Sequence, residues 1–319
     1  MNVCVMNVRH KDLSFDCFRE LGEVSFASNE TDEKMMEGKE ALEKADAMYF
    51  ASFKLQVKLL ELCPKLKVIN TSSTGYDWIR PEVIEYTKKR GIAICNNPVY
   101  GSAAVAQHAF ALLMEMTNLV GLHDASLRRG EWTGHGDYWV KPLTEMTGKT
   151  MGVIGMGNIG SKMAKMANGF EMKVLTYSEY IKEDVKDIVE SVSLEELLQR
   201  SDFISLHCPL FDSTREMINK ETIAQMKDGA LLVNSARGGL INEQDVADAL
   251  KSGKLGGYGA DAFTVEPIKA DDPLLSAPNC ILTPHIAWSS IESRQRQLDN
   301  AAANFKAYFE GNPVNVINQ

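Results

Sequence analysis

Three residues late in the chain are of types that together can assist a hydride donor in reducing a carbonyl beside a carboxylate: Arg237, Glu266 and His285. An arginine fork grips a carboxylate through two parallel hydrogen bonds and polarises the adjacent carbonyl. A protonated imidazole can deliver a proton to the carbonyl oxygen as hydride arrives at the carbon. A carboxylate beside that imidazole favours its charged form and fixes its orientation. Singly, each has an ordinary reading. Arg237 could be a loop ion-pair partner and Glu266-Pro267 could be turn chemistry. A lone histidine is usually structural or on the surface, and His10, His108, His123, His135 and His207 are read that way. Position joins the three. Arg237 follows the apolar run Ala230–Asn234, Glu266 follows Gly257–Ala262, and His285 follows Cys280–Thr283. In an open parallel α/β sheet, ligands bind beyond the carboxyl ends of the strands, so all three fall on one binding edge.

The same edge carries Gly155-Met156-Gly157-Asn158-Ile159-Gly160, a G-x-G-x-x-G segment. The pattern is weak alone, and its setting strengthens it. The strand-like run Thr150–Ile154 precedes it, a helix opens at Asn158, and a second strand, Lys173–Tyr177, follows. In such a βαβ unit Gly155 permits the tight turn, Gly157 admits a pyrophosphate, and Gly160 lets helix and strand pack closely. Phosphates then face the free amides and positive dipole end of the helix. The segment Gly148-Lys149-Thr150 imitates the end of a P-loop. Leu143 stands where that motif needs glycine, and the strand follows Lys149 instead of preceding the loop, which argues against nucleoside triphosphate hydrolysis. The second strand should end in an acid for the adenosine ribose. Ser178 occupies that place with Glu179 next to it, and Lys182 is the nearest cation. Glu179 would repel a 2′-phosphate, so NAD is expected in preference to NADP.

Alternating strands and helices must position these groups. Before residue 100 the expected strands are Asn2–Val8, Glu23–Ala27, Ala47–Ser52, Leu66–Thr71 and Ile92–Cys95. The helices between them are Asp12–Leu21, Glu33–Lys44, Leu55–Leu62 and Pro81–Arg90. This repetition predicts a parallel sheet covered on both faces. Ser102 to about Gly130 reads as one long helix, apolar nearly all round and therefore buried at a domain or subunit interface. Trp132–Pro142 reads as a loop. A second alternating series begins at Thr150 and includes the strand Phe203–Leu206. In it Ser193 and Glu196 form a capping box, Asn242 caps a helix running to Gly253, and a last helix spans Ser290 to about Phe309. The fold class is α/β, with two doubly wound parallel-sheet domains.

At 319 residues the chain has length for about two domains. Its net charge of −9, with no Lys/Arg cluster, makes nucleic acid a poor partner. Cys4, Cys17, Cys63, Cys95, Cys208 and Cys280 form no C-x-x-C pair, so no metal site is expected. They read as reduced, mostly buried thiols of a cytoplasmic protein. No signal peptide and no membrane-spanning apolar run are read.

Gly155 to Gly160, Asn234-Ser235-Ala236-Arg237-Gly238, Asp261 to Pro267 and Pro284-His285 together resemble the D-isomer-specific 2-hydroxyacid dehydrogenase family. The likeness covers essentially the whole chain, including Ser73-Thr74-Gly75, Val105-Ala106-Gln107 and the ending Asn312 to Val316. It implies a flavodoxin-like substrate domain, residues 1–100 plus 290–319. A Rossmann domain, 101–289, is inserted into it, and substrate sits in the cleft between them. By the same resemblance Arg237 binds the carboxylate with the Ser73, Thr74 and Gly75 backbone, His285 is the acid/base, and Glu266 is its partner. Asp261 would hold the nicotinamide amide. Gly155, Gly157, Asn158, Ile159, Gly160, Ser178, Glu179, Cys208, Pro209, Thr214, Ala236, His285 and Ala287 would line the cofactor site. Many members have Asp where Ser178 stands. Glu266 in place of glutamine argues against the formate dehydrogenase branch. The early end after the closing helix argues against feedback control by serine. Trp132–Pro142 looks most like glycerate dehydrogenases, also called hydroxypyruvate reductases. The 102–130 region would support a homodimer. The competing class is a non-enzymatic NAD(H)-sensing corepressor of the same fold, and a third reading takes phosphite or another unusual hydride donor.

Overall fold

The computed structural model describes residues 1–7, 12–51, 54–76, 78–134 and 139–319. The expected strand ends at Val8 and Ser52, the histidines His10 and His135, and the middle of Trp132–Pro142 lie outside these residues. The chain divides into two compact units, Met1–Gly101 with Ser289–Gln319, and Ser102–Trp288.

The first unit runs β1 (Asn2–Met6), α1 (Asp16–Arg19), β2 (Glu23–Ala27), α2 (Asp32–Glu37), α3 (Lys39–Lys44) and β3 (Ala47–Phe50). It continues with α4 (Val57–Glu61), β4 (Val68–Thr71), α5 (Pro81–Arg90) and β5 (Ala93–Cys95). The second runs α6 (Ser102–Asn118), α7 (Val120–Arg128), β6 (Thr150–Ile154), α8 (Asn158–Gly169), β7 (Lys173–Tyr177) and β8 (Glu190–Ser191). Then come α9 (Leu194–Arg200), β9 (Phe203–Leu206), α10 (Lys220–Gln225), β10 (Ala230–Asn234), α11 (Glu243–Ser252), β11 (Leu255–Ala260) and β12 (Cys280–Leu282). Helix α12 (Ile291–Phe309) returns to the first unit.

The first sheet is parallel, in the order β2-β1-β3-β4-β5. Alternate residues of β1 serve opposite faces. Cys4 and Met6 pack with Leu42, Leu59 and Leu60, while Val3 and Val5 pack with Phe18 and Phe305. The last segments of the chain close this unit through buried amides. Asn304 on α12 donates to Asn70 Oδ1 at 2.6 Å and accepts from Asn315 at 2.9 Å. Asn318 accepts from the Ile94 amide at 2.8 Å.

The second sheet is also parallel, in the order β12-β11-β10-β9-β6-β7-β8. Its central strands β6, β9 and β10 are buried on both faces, as a parallel sheet covered by helices requires. Helices α6 and α8 cover one face, and α9, α10 and α11 the other. The capping box at Ser193 and the Asn242 cap form as the sequence implies.

Three expected helices differ. The first shortens to α1. The charged one splits at Gly38, where a Cβ would meet Ala27 Cβ at 2.7 Å, so the chain must turn against β2 there. The long apolar one stops at Asn118. Leu119 takes a left-handed φ of +51°, and the Glu115 carboxylate accepts from the Gly121 amide at 2.9 Å, capping α7 from the preceding helix. Helix α7 has no buried residue within this chain, contrary to the burial expected for the whole stretch. Among the described residues no helix is long and apolar enough to cross a membrane, and no disulfide forms.

Replacing Asn304 by alanine leaves the buried Asn70 Oδ1 without its donor. The expected loss is roughly 1–3 kcal/mol, read as a lower urea midpoint.

Candidate active site

Because every strand of the second sheet is parallel, all their carboxyl ends lie on one edge. The ladder aligns Tyr177, Ile154, Leu206, Asn234, Ala260 and Leu282. One step further out, Gly155 donates to Tyr177 O, His207 to Ile154 O, Asp261 to Asn234 O, and Thr283 to Ala260 O, at 2.8–3.0 Å. Strand order reverses between β6 and β9, so the glycine loop and His207-Cys208 flank the switch point where such sheets bind ligands.

The glycine loop has the shape a dinucleotide needs. Gly155 has φ +92°, and a Cβ there would meet the His207 and Cys208 backbone at 2.7–2.8 Å. A Cβ on Gly160 would meet Gly155 O at 2.0 Å, so helix and loop touch directly. At Gly157 a Cβ would meet nothing within 4 Å. Gly157 also begins α8 with no side-chain cap, which leaves the first-turn amides facing that open space. These residues fit NAD: an open cradle lies above an uncapped helix N-terminus, with strain and close packing confined to the two flanking glycines.

Ser178 braces this loop. Its Oγ accepts from the Met156 amide at 3.0 Å and donates to Tyr180 O at 2.8 Å. Glu179 is exposed, and Lys182 donates to the Asn158 side chain at the start of α8. Beyond β9, the Thr214 hydroxyl accepts from the Phe211 amide and donates to Pro209 O, each at 2.8 Å, shaping the turn after Cys208. Burial pushes the Cys208 thiol up to about 11.

His285 Nδ1 lies 2.7 Å from Glu266 Oε2. The other carboxylate oxygen, Oε1, accepts from the Phe263 amide at 3.0 Å, so Glu266 is anchored at both ends. Burial raises the Glu266 carboxyl, but the bonds from His285 and Phe263 and the charges of His285 and Arg237 outweigh it and hold it below its usual value. Arg237 follows β10. Its Nη1 donates to Ala236 O at 2.9 Å, and the Ala236 amide donates to Asn234 Oδ1 at 3.0 Å. Asp261 is 1% exposed and accepts from the Ile286 and Ala287 amides at 2.9 and 2.7 Å.

Two histidines read from sequence as ordinary stand at this edge. His207 Nε2 is 2.8 Å from Ser205 Oγ, and burial pushes its imidazole down to about 4. His108 on α6 contacts Thr283 at 2.9 Å. Helical spacing places His108 on α6 but gives no sign of the strand end it meets.

Ser73, Thr74 and Gly75 belong to the first unit, just past β4. Ser73 Oγ donates to Gly75 O at 2.7 Å, Thr74 Oγ1 donates to Asn97 O at 2.9 Å, and Trp78 Nε1 donates to Ser73 Oγ at 3.1 Å.

A glycine loop at the switch point, with an imidazole–carboxylate pair and an arginine on the same edge, defines a dinucleotide-dependent oxidoreductase. Residues 110–287 match the family described as D-isomer specific 2-hydroxyacid dehydrogenase, NAD binding domain. The chain is 44% identical to a hydroxypyruvate reductase of Blautia hydrogenotrophica over 86% of its length and 85% of that protein. It is 40% identical to a glyoxylate reductase of Korarchaeum cryptofilum, over 83% and 80%. It superposes on a D-lactate dehydrogenase from Aquifex aeolicus, solved with NAD and lactic acid, with a TM-score of 0.78 at 32% identity, over 98% and 96%. The chain belongs to the D-isomer specific 2-hydroxyacid dehydrogenase family, and it is an NAD-dependent oxidoreductase.

The two glycines give opposite expectations. Gly157→Ala should leave the melting temperature unchanged and weaken NADH binding at least tenfold by fluorescence titration. Gly155→Ala should lower the melting temperature, because its backbone is left-handed and crowded.

His207 sets a pH dependence. Its folded value, about 4, lies below the ordinary 6.5, so the unfolded chain takes up the proton first. Its stabilising contribution is complete above pH 6.5 and declines as pH falls toward about 4. Urea midpoints should fall less between pH 7 and 5 in His207→Gln than in the parent.

Proposed function

We propose that this enzyme reduces a short 2-keto acid of the hydroxypyruvate or glyoxylate type to the D-2-hydroxy acid, and runs the reverse reaction. The observation that carries the proposal is the 2.7 Å His285–Glu266 pair on the same sheet edge as the glycine loop. The relatives named hydroxypyruvate reductase and glyoxylate reductase favour this substrate class.

NADH, when bound, would supply the hydride for C2. Gly155, Gly157, Asn158, Ile159 and Gly160 would hold its pyrophosphate, and Ser178 and Glu179 its adenosine ribose. Cys208, Pro209, Thr214, Ala236 and Ala287 would line the rest of the site, and Asp261 would take the carboxamide. Arg237 grips the substrate carboxylate and polarises the neighbouring carbonyl. Within the first unit, among the described residues, no hydrogen bond occupies the amides of Ser73, Thr74 and Gly75, so that backbone can donate to an anion. Glu266 holds His285 Nδ1, which leaves Nε2 to carry the proton to the carbonyl oxygen. In the reverse direction Nε2 takes the hydroxyl proton.

The second unit thus carries the glycine loop together with Arg237, Glu266 and His285. The enzyme acts in the cytoplasm, in keeping with its six free thiols. It pairs as a homodimer through residues 102–130, where Val120 and Leu127 are more than half exposed within one chain.

NADH oxidation against pyruvate, hydroxypyruvate, glyoxylate, 2-oxoisocaproate and phenylpyruvate tests this reading. Hydroxypyruvate or glyoxylate should give the highest kcat/KM. No turnover with any keto acid, despite measurable NADH binding, would overturn it in favour of a sensor or another hydride donor. His285→Ala should lower kcat by ~10²–10⁴-fold. Arg237→Lys should chiefly raise KM, since an ammonium lacks the bidentate fork.

A further inference from the structure

His285 adopts a left-handed backbone, φ +54°, which side chains other than glycine rarely take. Such a conformation persists only where the surroundings over-determine it. Here the His285 amide donates to Thr283 O at 2.9 Å, and Trp288 Nε1 donates to His285 O at 2.9 Å. The next two amides, of Ile286 and Ala287, both point at the buried Asp261 carboxylate. Two successive amides converge on one carboxylate because the chain turns sharply at residue 285. Asp261 thus holds the backbone of His285, as Glu266 holds its side chain.

Asp261 is held in turn from the neighbouring helix. Thr283 Oγ1 lies 2.6 Å from Asp261 Oδ1 and 3.2 Å from Ala260 O. A carboxylate oxygen only accepts, so at 2.6 Å the single hydroxyl hydrogen goes to Asp261 Oδ1. Oγ1 is then left to accept from His108 Nε2, 2.9 Å away, which assigns the donor role to that nitrogen. That nitrogen is also 3.6 Å from Asp261 Oδ1, which brings an imidazole to a carboxylate only 1% exposed.

We infer that His108 is a positioning residue: its Nε2 hydrogen, relayed through Thr283 to the buried Asp261 carboxylate, fixes the left-handed turn that aims His285. This rests on the proposed acid/base role of His285 for its consequence in turnover, but not for its consequence in the loop. Without the His108 donor, Thr283 can rotate its hydroxyl away from Asp261. The carboxylate then loses its fixed place, and the amides at 286 and 287 lose a fixed acceptor.

Two variants separate the donor from the shape of the side chain. His108→Leu fills the space and has no donor. His108→Gln places an amide nitrogen close to where Nε2 stood. Hydrogen–deuterium exchange of peptides covering 283–288 should quicken at least tenfold in His108→Leu and stay within threefold of the parent in His108→Gln. On the best keto acid, kcat should fall at least tenfold in His108→Leu with KM within threefold, and recover in His108→Gln. Unchanged exchange in His108→Leu would overturn the inference, and so would equal acceleration in both variants. Exchange needs no substrate. Quickened exchange in a protein whose parent turns over no keto acid would uphold the loop assignment and remove the acid/base reading. Normal exchange in variants of an active parent would do the reverse.

Discussion

The constraint on which the second unit depends is parallel pairing. Once β6, β7 and β9 to β12 run in one direction in register, each residue just past a strand is delivered to the same edge. Gly155, His207, Asp261 and Thr283 come from four separate strands, yet stand in one row. The apolar strands make that arrangement stable, because helices must cover both faces and the crossovers must return each chain to the same side. Chemistry is then decided by the residue types placed at the strand ends.

Within that row, tightness and openness are divided sharply. The loop at Gly155 and Gly160 is so close to its neighbours that no side chain fits, whereas the space beside Gly157 is free. A pyrophosphate needs backbone amides at close range, and only a rigid turn below an open cradle provides them. Ser178 contributes to that rigidity. Its hydroxyl bridges the glycine loop and the turn after β7, so the residue expected to meet the ribose also braces the phosphate loop.

The His285–Glu266 pair shows a second division of labour. Glu266 orients the imidazole ring of His285, and Asp261 sets the backbone that carries it. Neither carboxylate could do the other's work, because one reaches a ring nitrogen and the other reaches two amides beyond a left-handed residue. The left-handed backbone at His285 needs this double restraint.

Much of this was legible in the sequence, because local pattern controls it. Apolar runs and their spacing marked the strands, Ser193 and Asn242 marked helix starts, and Gly155 to Gly160 marked the phosphate loop. Residue type and position after a strand singled out Arg237, Glu266 and His285. Pattern could not reach the features decided between elements. The apolar stretch after Ser102 reads as one helix, and the break at Leu119 comes from a cap supplied by Glu115 and from contacts outside the helical period. His108 reads as an ordinary helix residue, because its meaning lies in a strand end 175 positions away. The sequence by itself determined the α/β class, the dinucleotide loop and the identity of the chemical groups, since these depend on periodicity and side-chain type. Only the tertiary structure decided which groups touch, because hydrogen bonds between distant strand ends depend on register and packing that no local window contains.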